Sequence, residues 1–333
     1  MILIFSIEND PSTSETMRWL RHLGAKDVVR INSDQSTELL PQLYMDEKSF
    51  TLKTKEFTIN MSGLSAVWYR KGSFWFKDFF PQIDIPGHGA LTRNINSRTQ
   101  AENLRIREYF HHLINKNVRT LGSVRAATPN KLITLDIAQD VGLLIPEFFT
   151  SNCRETFESR LENGDAIVTK PVSDGIYLWD TEEAQRGYFS YTERLSTETI
   201  ATYDASLPPS FAQKEIIKDF ELRVFFLNGK THSVAIFSQS DRRTKTDYRK
   251  YNYDQPNRYV PYELPVDVNG KLCKLFERLE LNTGSADMIV DTLGQYYFLE
   301  INPTGQFGAL SEVCNYNLEK HIAEWLIGDN YYG

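Results

Sequence analysis

Apolar positions open the chain as a nearly unbroken run, Ile2–Ile7, which predicts a first buried β-strand. From Thr13 to Leu23 the apolar residues recur at helical spacing, with Ser12 or Thr13 as cap and Gly24 as stop, and Asp27–Ile31 reads as a second short strand. This β–α–β opening predicts an α/β domain with parallel strands, extended by a hairpin through Phe50–Met61 and a strand over Ala66–Arg70. Within Thr99–Asn115, Leu104, Ile106, Tyr109, Phe110 and Leu113 recur at near-helical spacing among charges that face solvent. The texture changes around Leu121–Pro129, the first expected boundary. Leu207-Pro208-Pro209 interrupts the pattern near Asp204–Ser210 and marks the second. The expected division is residues 1–122, an amino-terminal α/β domain, then 123–208 and 209–333.

The second half of the chain carries the chemistry. Between Leu281 and Leu310, two adjacent strands joined by a tight turn bear Asp287 on the first and Glu300 and Asn302 on the second. Side chains alternate along a strand, so Glu300 and Asn302 share a face and Asp287 joins them from its neighbour. Phe298, Leu299, Ile301, Met288 and Ile289 mark both strands as buried, where unpaired carboxylates are costly. A set of two carboxylates and an amide suits Mg²⁺, which completes its shell with water and substrate phosphates.

Upstream, Lys131 heads a helix over Lys131–Val141. Lys170 ends a strand over Ala166–Lys170 and precedes the turn-rich Pro171-Val172-Ser173-Asp174-Gly175. Two ammonium groups offset triphosphate charge that magnesium leaves unneutralised. In Phe211–Phe226, Gln213–Ile217 reads as a strand-to-loop hinge whose backbone can bond an adenine edge. Glu221 and Arg223 lie two apart on the next strand, as a buried ion pair or as groups facing a phosphate or carboxylate.

Composition narrows the partners. A net charge of −7 and pI near 5.5 argue against general affinity for nucleic acid or anionic membrane. No apolar stretch approaches the length of a membrane span and the amino terminus lacks the features of a signal peptide, so a cytoplasmic protein is expected. Cys153, Cys273 and Cys314 are odd in number and widely spaced, reading as buried thiols in a reducing compartment. The six histidines show no arrangement with a nucleophile, and none is assigned a triad role. Two surfaces stand out. Trp68, Tyr69, Phe74, Trp75, Phe76, Phe79 and Phe80 form either an inter-domain core or a peptide-docking surface. Arg242, Arg243, Lys245, Arg249 and Lys250 form either a solvated loop or a groove for an acidic peptide, with Arg249 and Arg258 also placed to contact phosphate.

The order Lys131, Lys170, Asp287, Glu300, Asn302 resembles the ATP-grasp carboxylate–amine ligases over about residues 120–330. Thr246-Asp247-Tyr248-Arg249, Asn257-Arg258, Leu281–Asp287, Phe298–Pro303, Gly305–Gly308 and Cys314–Leu318 are more specifically similar to the grasp-with-spasm peptide maturases, relatives of the microviridin cyclases. The resemblance implies an α/β ATP-grasp fold with a pre-grasp domain and two subdomains clasping ATP. It implies phosphate contacts from Lys131 and Lys170, Mg²⁺ ligation by Asp287, Glu300 and Asn302, and an adenine-lining stretch Gln213, Lys214, Glu215, Ile216 and Ile217. Which of Lys214, Glu215 or Ile216 makes the base contact stays open. Glu221-Leu222-Arg223 matches a family triplet near the reacting groups.

The implied activity joins Asp or Glu side chains of a ribosomal precursor peptide, with a leader and a Thr/Ser- and Asp/Glu-rich core, to Thr, Ser or Lys side chains as macrocyclic esters or amides. ATP and Mg²⁺ are the cosubstrate and metal. Alternatives are a ligase adding a free amino acid to a protein or small acid, an ATP-dependent phosphotransferase, and a nucleotide-binding regulator. No nucleic acid or membrane partner is expected, and a homodimer is the oligomer to consider.

Overall fold

The computed structural model describes residues 1–34, 42–73, 82–173, 177–180, 186–239 and 257–328. The chain divides into two compact units. The first holds residues 1–127, 306–312 and 316–333; the second holds 128–305 and 313–315. Thus the end of the expected carboxy-terminal part groups with the amino-terminal unit, and the remainder of the expected central and carboxy-terminal parts forms one unit.

In the first unit, β1 (Ile2–Ser6), β2 (Val28–Asn32), β6 (Ala66–Tyr69) and β7 (Arg119–Leu121) form a parallel sheet in the order β2-β1-β6-β7. Helix α1 (Pro11–His22) links β1 to β2, and β3 (Gln42–Met45), β4 (Phe50–Lys53) and β5 (Thr58–Asn60) make a separate antiparallel sheet. The expected hairpin corresponds to β4 and β5; β3 is an additional strand. Helix α1 begins two residues before Thr13, because Pro11 at its first position has the fixed φ a helix needs and lacks an N–H that would go unbonded there. Ser12 and Thr13 are therefore buried helical residues rather than caps. Helix α2 (Gly89–Asn117) is longer than Thr99–Asn115; its buried positions are confined to Phe110, His111, Leu113 and Ile114, so its amino-terminal turns carry no apolar stripe for the sequence to display. These side chains close a core with Leu3, Phe5, Phe50, Val67 and Tyr69. The remaining aromatics expected beside Trp68 and Tyr69, residues 74–80, lie outside the described residues apart from the chain preceding them.

Buried in this core, the Tyr69 hydroxyl and His111 Nδ1 are 2.9 Å apart. Burial first, then the nearby Arg107 charge, depresses His111 to about 3, while burial raises Tyr69. The imidazole is therefore neutral and shares a hydrogen bond with the tyrosine hydroxyl. A base whose folded pKa lies below its unfolded value near 6.5 contributes stability present above pH 6.5 and lost as pH falls towards 3. We expect this component to lower unfolding free energy with a slope approaching about 1.4 kcal/mol per pH unit in that window. Urea unfolding of wild type and His111→Phe at pH 7, 6 and 5 checks it; equal pH slopes would refute the assignment.

In the second unit follow α3 (Lys131–Asp140), β8 (Phe148–Cys153), α4 (Arg154–Glu162), β9 (Ile167–Thr169), the hairpin β10 (Tyr177–Asp180) and β11 (Arg186–Phe189), β12 (Glu193–Arg194), α5 (Thr197–Ile200) and β13 (Ser206–Lys214). A sheet in the order β12-β9-β13-β8 packs on a small core of Phe157, Ile167, Ile200 and Ala212. Pro208-Pro209, expected at a boundary, lies inside β13 where its pairing with β8 is interrupted, a place at which a strand tolerates residues without an N–H. A second sheet, in the order β16-β15-β14-β17-β18, contains β14 (Lys218–Leu227), β15 (Lys230–Phe237), β16 (Arg258–Tyr262), β17 (Thr283–Asp291) and β18 (Tyr296–Asn302), with α6 (Val266–Arg278) between β16 and β17. The first unit is completed by most of α7 (Gly308–Cys314) and by α8 (Leu318–Ile327), which lies against α1. Among the described residues no helix is long and apolar enough to cross a membrane. Cys314 is buried, whereas Cys153 and Cys273 are only half-buried; all three are free thiols.

Candidate active site

The five-stranded sheet separates a dry face from a polar one. Val224, Phe226, Ala286, Val290 and Phe298 are buried on the dry face, with Phe226 stacked on Phe276 of α6 at 4.2 Å. Antiparallel register fixes what the other face presents. Arg223 stands opposite Asp287, and Asp287 opposite Glu300. One step along, Ser285 faces Asn302. The three expected oxygen donors therefore share one face, with Arg223 Nη1 3.8 Å from Asp287 Oδ1. A register shift between Asp287 and Met288 adds one residue to β18 opposite them. Such a bulge suspends strict alternation, and consecutive Leu299 and Glu300 both line the cleft described below.

Lys131 is the first residue of α3, whose start is capped by Asn130 Oδ1 accepting from Leu132 N at 2.9 Å and Ile133 N at 3.3 Å. Its Nζ lies 3.0 Å from Glu300 Oε2 and donates to the Pro171 carbonyl at 2.8 Å. The lysine thus ties the carboxylate cluster to the segment following Lys170. Asn302 Oδ1 accepts from Thr304 N at 3.1 Å and from Thr304 Oγ1 at 3.3 Å, which fixes the orientation of its amide.

A cleft of about 840 Å³, counting its open mouth, lies between the two sheets of this unit. Lys170, Glu221, Asp287 and Glu300 supply its charged wall; Pro146, Val168, Met288, Ile289 and Leu299 supply an apolar one. Gln213, Lys214, Glu215 and Ile216 line it along the end of β13. Gln213 is 2% exposed, and its Nε2 has no hydrogen-bond partner among the described residues. A buried amide donor of this kind calls for an acceptor. The N–H groups of Lys214 and Glu215 are bonded to the carbonyls of Glu147 and Ala166 at 2.8 and 2.7 Å, so of the expected hinge donors these two are committed to protein. Arg194 Nε pairs with Glu215 Oε2 at 3.0 Å. Ile217 departs from expectation: it is 75% exposed and does not line the cleft.

Glu221 and Arg223 do share the polar face, but not as partners of one another. Glu221 Oε1 pairs with Lys218, and its Oε2 accepts from Ser238 Oγ at 2.9 Å. Lys218 was not singled out from sequence because strict alternation puts residues three apart on opposite faces; a register shift between Lys218 and Phe220 turns it to the side of Glu221. Arg258 is not brought to the cluster. It lies on the edge strand β16, with β15 and β14 between it and β17, over the Phe237 ring at 5.5 Å. Arg249, Asp174, Gly175 and the basic run Arg242–Lys250 fall outside the described residues.

The donor chemistry fits a hard divalent cation: two facing carboxylates and an oriented amide oxygen, all oxygen, on an open face. Among the described residues no group of three or more His, Cys, Asp or Glu converges, so the third protein donor in this set is the Asn302 amide.

No family model matches the sequence. A D-alanine–D-alanine ligase from Pseudoalteromonas atlantica is 27% identical over 162 residues, so the matched part spans about half, 47%, of each chain. A RiPP-associated ATP-grasp ligase from Chryseobacterium gregarium, solved in complex with ADP and a leader and core peptide, superposes with a TM-score of 0.80 at 24% identity, covering 98% of this chain and 96% of that one. The macrocyclase MdnC from Microcystis aeruginosa MRC, solved bound with precursor peptide MdnA, superposes with a TM-score of 0.74 at 25% identity, covering 98% and 99%. With its two-sheet cleft and near-complete coverage by both structures, the chain has the ATP-grasp fold.

Proposed function

We propose that the protein is an ATP-dependent ligase that activates Asp or Glu side chains of a ribosomal precursor peptide and joins them to Thr, Ser or Lys side chains of the same peptide. The observation that carries this reading is the row Arg223, Asp287, Glu300 and Lys131 on the polar wall beside Lys170. It occurs in a chain whose fold matches precursor-bound MdnC along its whole length. A carboxylate does not condense with a hydroxyl in water. Its oxygen attacks the γ-phosphorus of ATP, ADP leaves, and an acyl phosphate forms; the hydroxyl or amine then attacks the acyl carbon, and phosphate leaves with loss of the nucleophile's proton to solvent or base. Water is removed overall at the cost of one ATP.

The residues divide this task. Lys131 and Lys170 neutralise phosphate oxygens, and Arg223 stands beside the carboxylates where charge on the transferring group develops. The nucleobase fits against Val168, Met288, Ile289 and Leu299, with the Gln213–Ile216 stretch supplying polar contacts at its edge. Asp287, Glu300 and Asn302 would hold Mg²⁺, which supplies Lewis-acid stabilisation of phosphate charge. Preorganised contacts of these types each contribute roughly 10²–10³ in rate. The match to a D-alanine–D-alanine ligase favours, as a second reading, a ligase acting on a small acid or free amino acid.

The test is the intact mass of the short Thr/Ser- and Asp/Glu-rich peptide encoded nearest to this gene, before and after incubation with enzyme, ATP and Mg²⁺. Loss of one water per ring, only with ATP, is the expected result. A gain of phosphate would instead make the protein a phosphotransferase. An unchanged peptide together with ADP release on amino-acid addition would establish the second reading.

A further inference from the structure

Of the three proposed oxygen donors, Asp287 and Glu300 are half-buried within their strands, whereas Asn302 is the last residue of β18 and is exposed. A side chain in such a place ordinarily samples several rotamers, and a ligand oxygen that must first be ordered binds more weakly. This one is ordered by the chain that follows it. Asn302, Pro303, Thr304 and Gly305 form a tight turn in which Gly305 N donates to Asn302 O at 3.0 Å. Pro303 brings the fixed φ that suits the second position of such a turn. The Asn302 side chain closes a smaller loop of its own, Oδ1 accepting from Thr304 N at 3.1 Å, so its aim follows the backbone of the turn.

What holds that backbone is β17. Ser285 stands opposite Asn302 in the register, and Gly305 folds back onto it. A Cβ at residue 305 would lie 2.5 Å from Ser285 Oγ, 2.6 Å from Ser285 Cβ and 3.0 Å from Asn302 O. One residue earlier on β17, a Cβ on Gly284 would lie 3.2 Å from both Asn302 O and Pro303 Cα. Two glycines, one on each side, thus let turn and strand approach to backbone contact. Ser285 is 2% exposed and its Oγ has no hydrogen-bond partner among the described residues, so it meets Gly305 by shape and not by bonding. We infer, on the reading of Asn302 as a magnesium ligand in the proposed function, that Ser285 and Gly305 are positioning residues: their contact seats the turn on β17, and the seated turn sets the aim of Asn302 Oδ1. Both belong to the second unit, as Asn302 does, and neither touches substrate.

Calorimetric binding of ADP at a series of Mg²⁺ concentrations tests the seat in the full chain, with metal-free thermal unfolding alongside. Gly305→Ala pushes from the turn and Ser285→Val from the strand, the latter with a residue that strands favour. Each is expected to raise the Mg²⁺ concentration for half-maximal binding about tenfold, the lower end for outer-shell partners. Adding Ser285→Gly to Gly305→Ala removes both close side-chain atoms and is expected to return most of that shift. Adding Ser285→Ala instead keeps the Cβ that would lie 2.6 Å away and is expected to return none of it. A general loss of stability would not follow that order, since a glycine inside a strand weakens it. Wild-type Mg²⁺ dependence in the folded single variants, or a shift that Ser285→Gly leaves in place, overturns the seat when Asn302→Ala itself raises the requirement. An unshifted Asn302→Ala overturns the metal-site reading, and the seat with it.

Discussion

Replacing Glu300 by Gln together with Asn302 by Ala is expected to abolish ATP turnover while leaving a folded protein. Each change removes an oxygen donor from the polar wall, and loss of one preorganised contact at developing charge lowers turnover by roughly 10²–10³. Two such losses from one site place the residual rate below detection. The fold should tolerate the change because Glu300 is half-buried at most and Asn302 exposed, and neither belongs to the apolar face under α6. Glu300→Gln also keeps the side chain's volume and an acceptor for the Lys131 ammonium, which lies 3.0 Å away. The measurement is ADP release with peptide and saturating ATP, paired with a melting curve. Wild-type turnover in the double variant would remove these residues from the reaction.

Much of that site was legible because strand alternation is a strict rule where it holds. Asp287, Glu300 and Asn302 needed only a period of two and a neighbouring strand to be placed on one face, and the register brings them there. The features that escaped are those that break the period. Lys218 reaches Glu221, and Leu299 reaches the cleft beside Glu300, through register shifts that no residue type at those positions announces. Chain-distant pairings escaped as well. Nothing local in Gln306 or Phe307 says that they pack with Arg70, more than two hundred positions earlier. The exposure of Ile217, in the expected hinge, and the edge-strand place of Arg258, expected beside the basic run, are set by chain path and strand order rather than by residue type. Likewise Pro11 at the first turn of α1 set the helix start two residues ahead of the hydroxyl residues that looked like caps.

The pair that alternation hid carries the largest expected effect on stability. Lys218 and Glu221 side chains are 5% and 9% exposed, and Glu221 also accepts from Ser238. Removing one member leaves the other's charge in a poorly solvated place, a loss of about 3–5 kcal/mol when a buried pair is broken this way. Lys218→Met and Glu221→Gln are each expected to show it as a lower urea midpoint at unchanged slope. Replacing both, as Lys218→Met with Glu221→Leu, removes the stranded charge and is expected to recover most of the loss, so the double variant is more stable than either single one. Additive losses would mean that the two groups are solvated independently, and that the cleft wall they form is wet. The same comparison separates structure from chemistry at Glu221. With Lys218 fixed on one oxygen and Ser238 on the other, this carboxylate is already spoken for by the protein. A double variant that regains stability but not ADP release would assign the pair to the reaction, through the charged wall it gives the cleft beside Lys170.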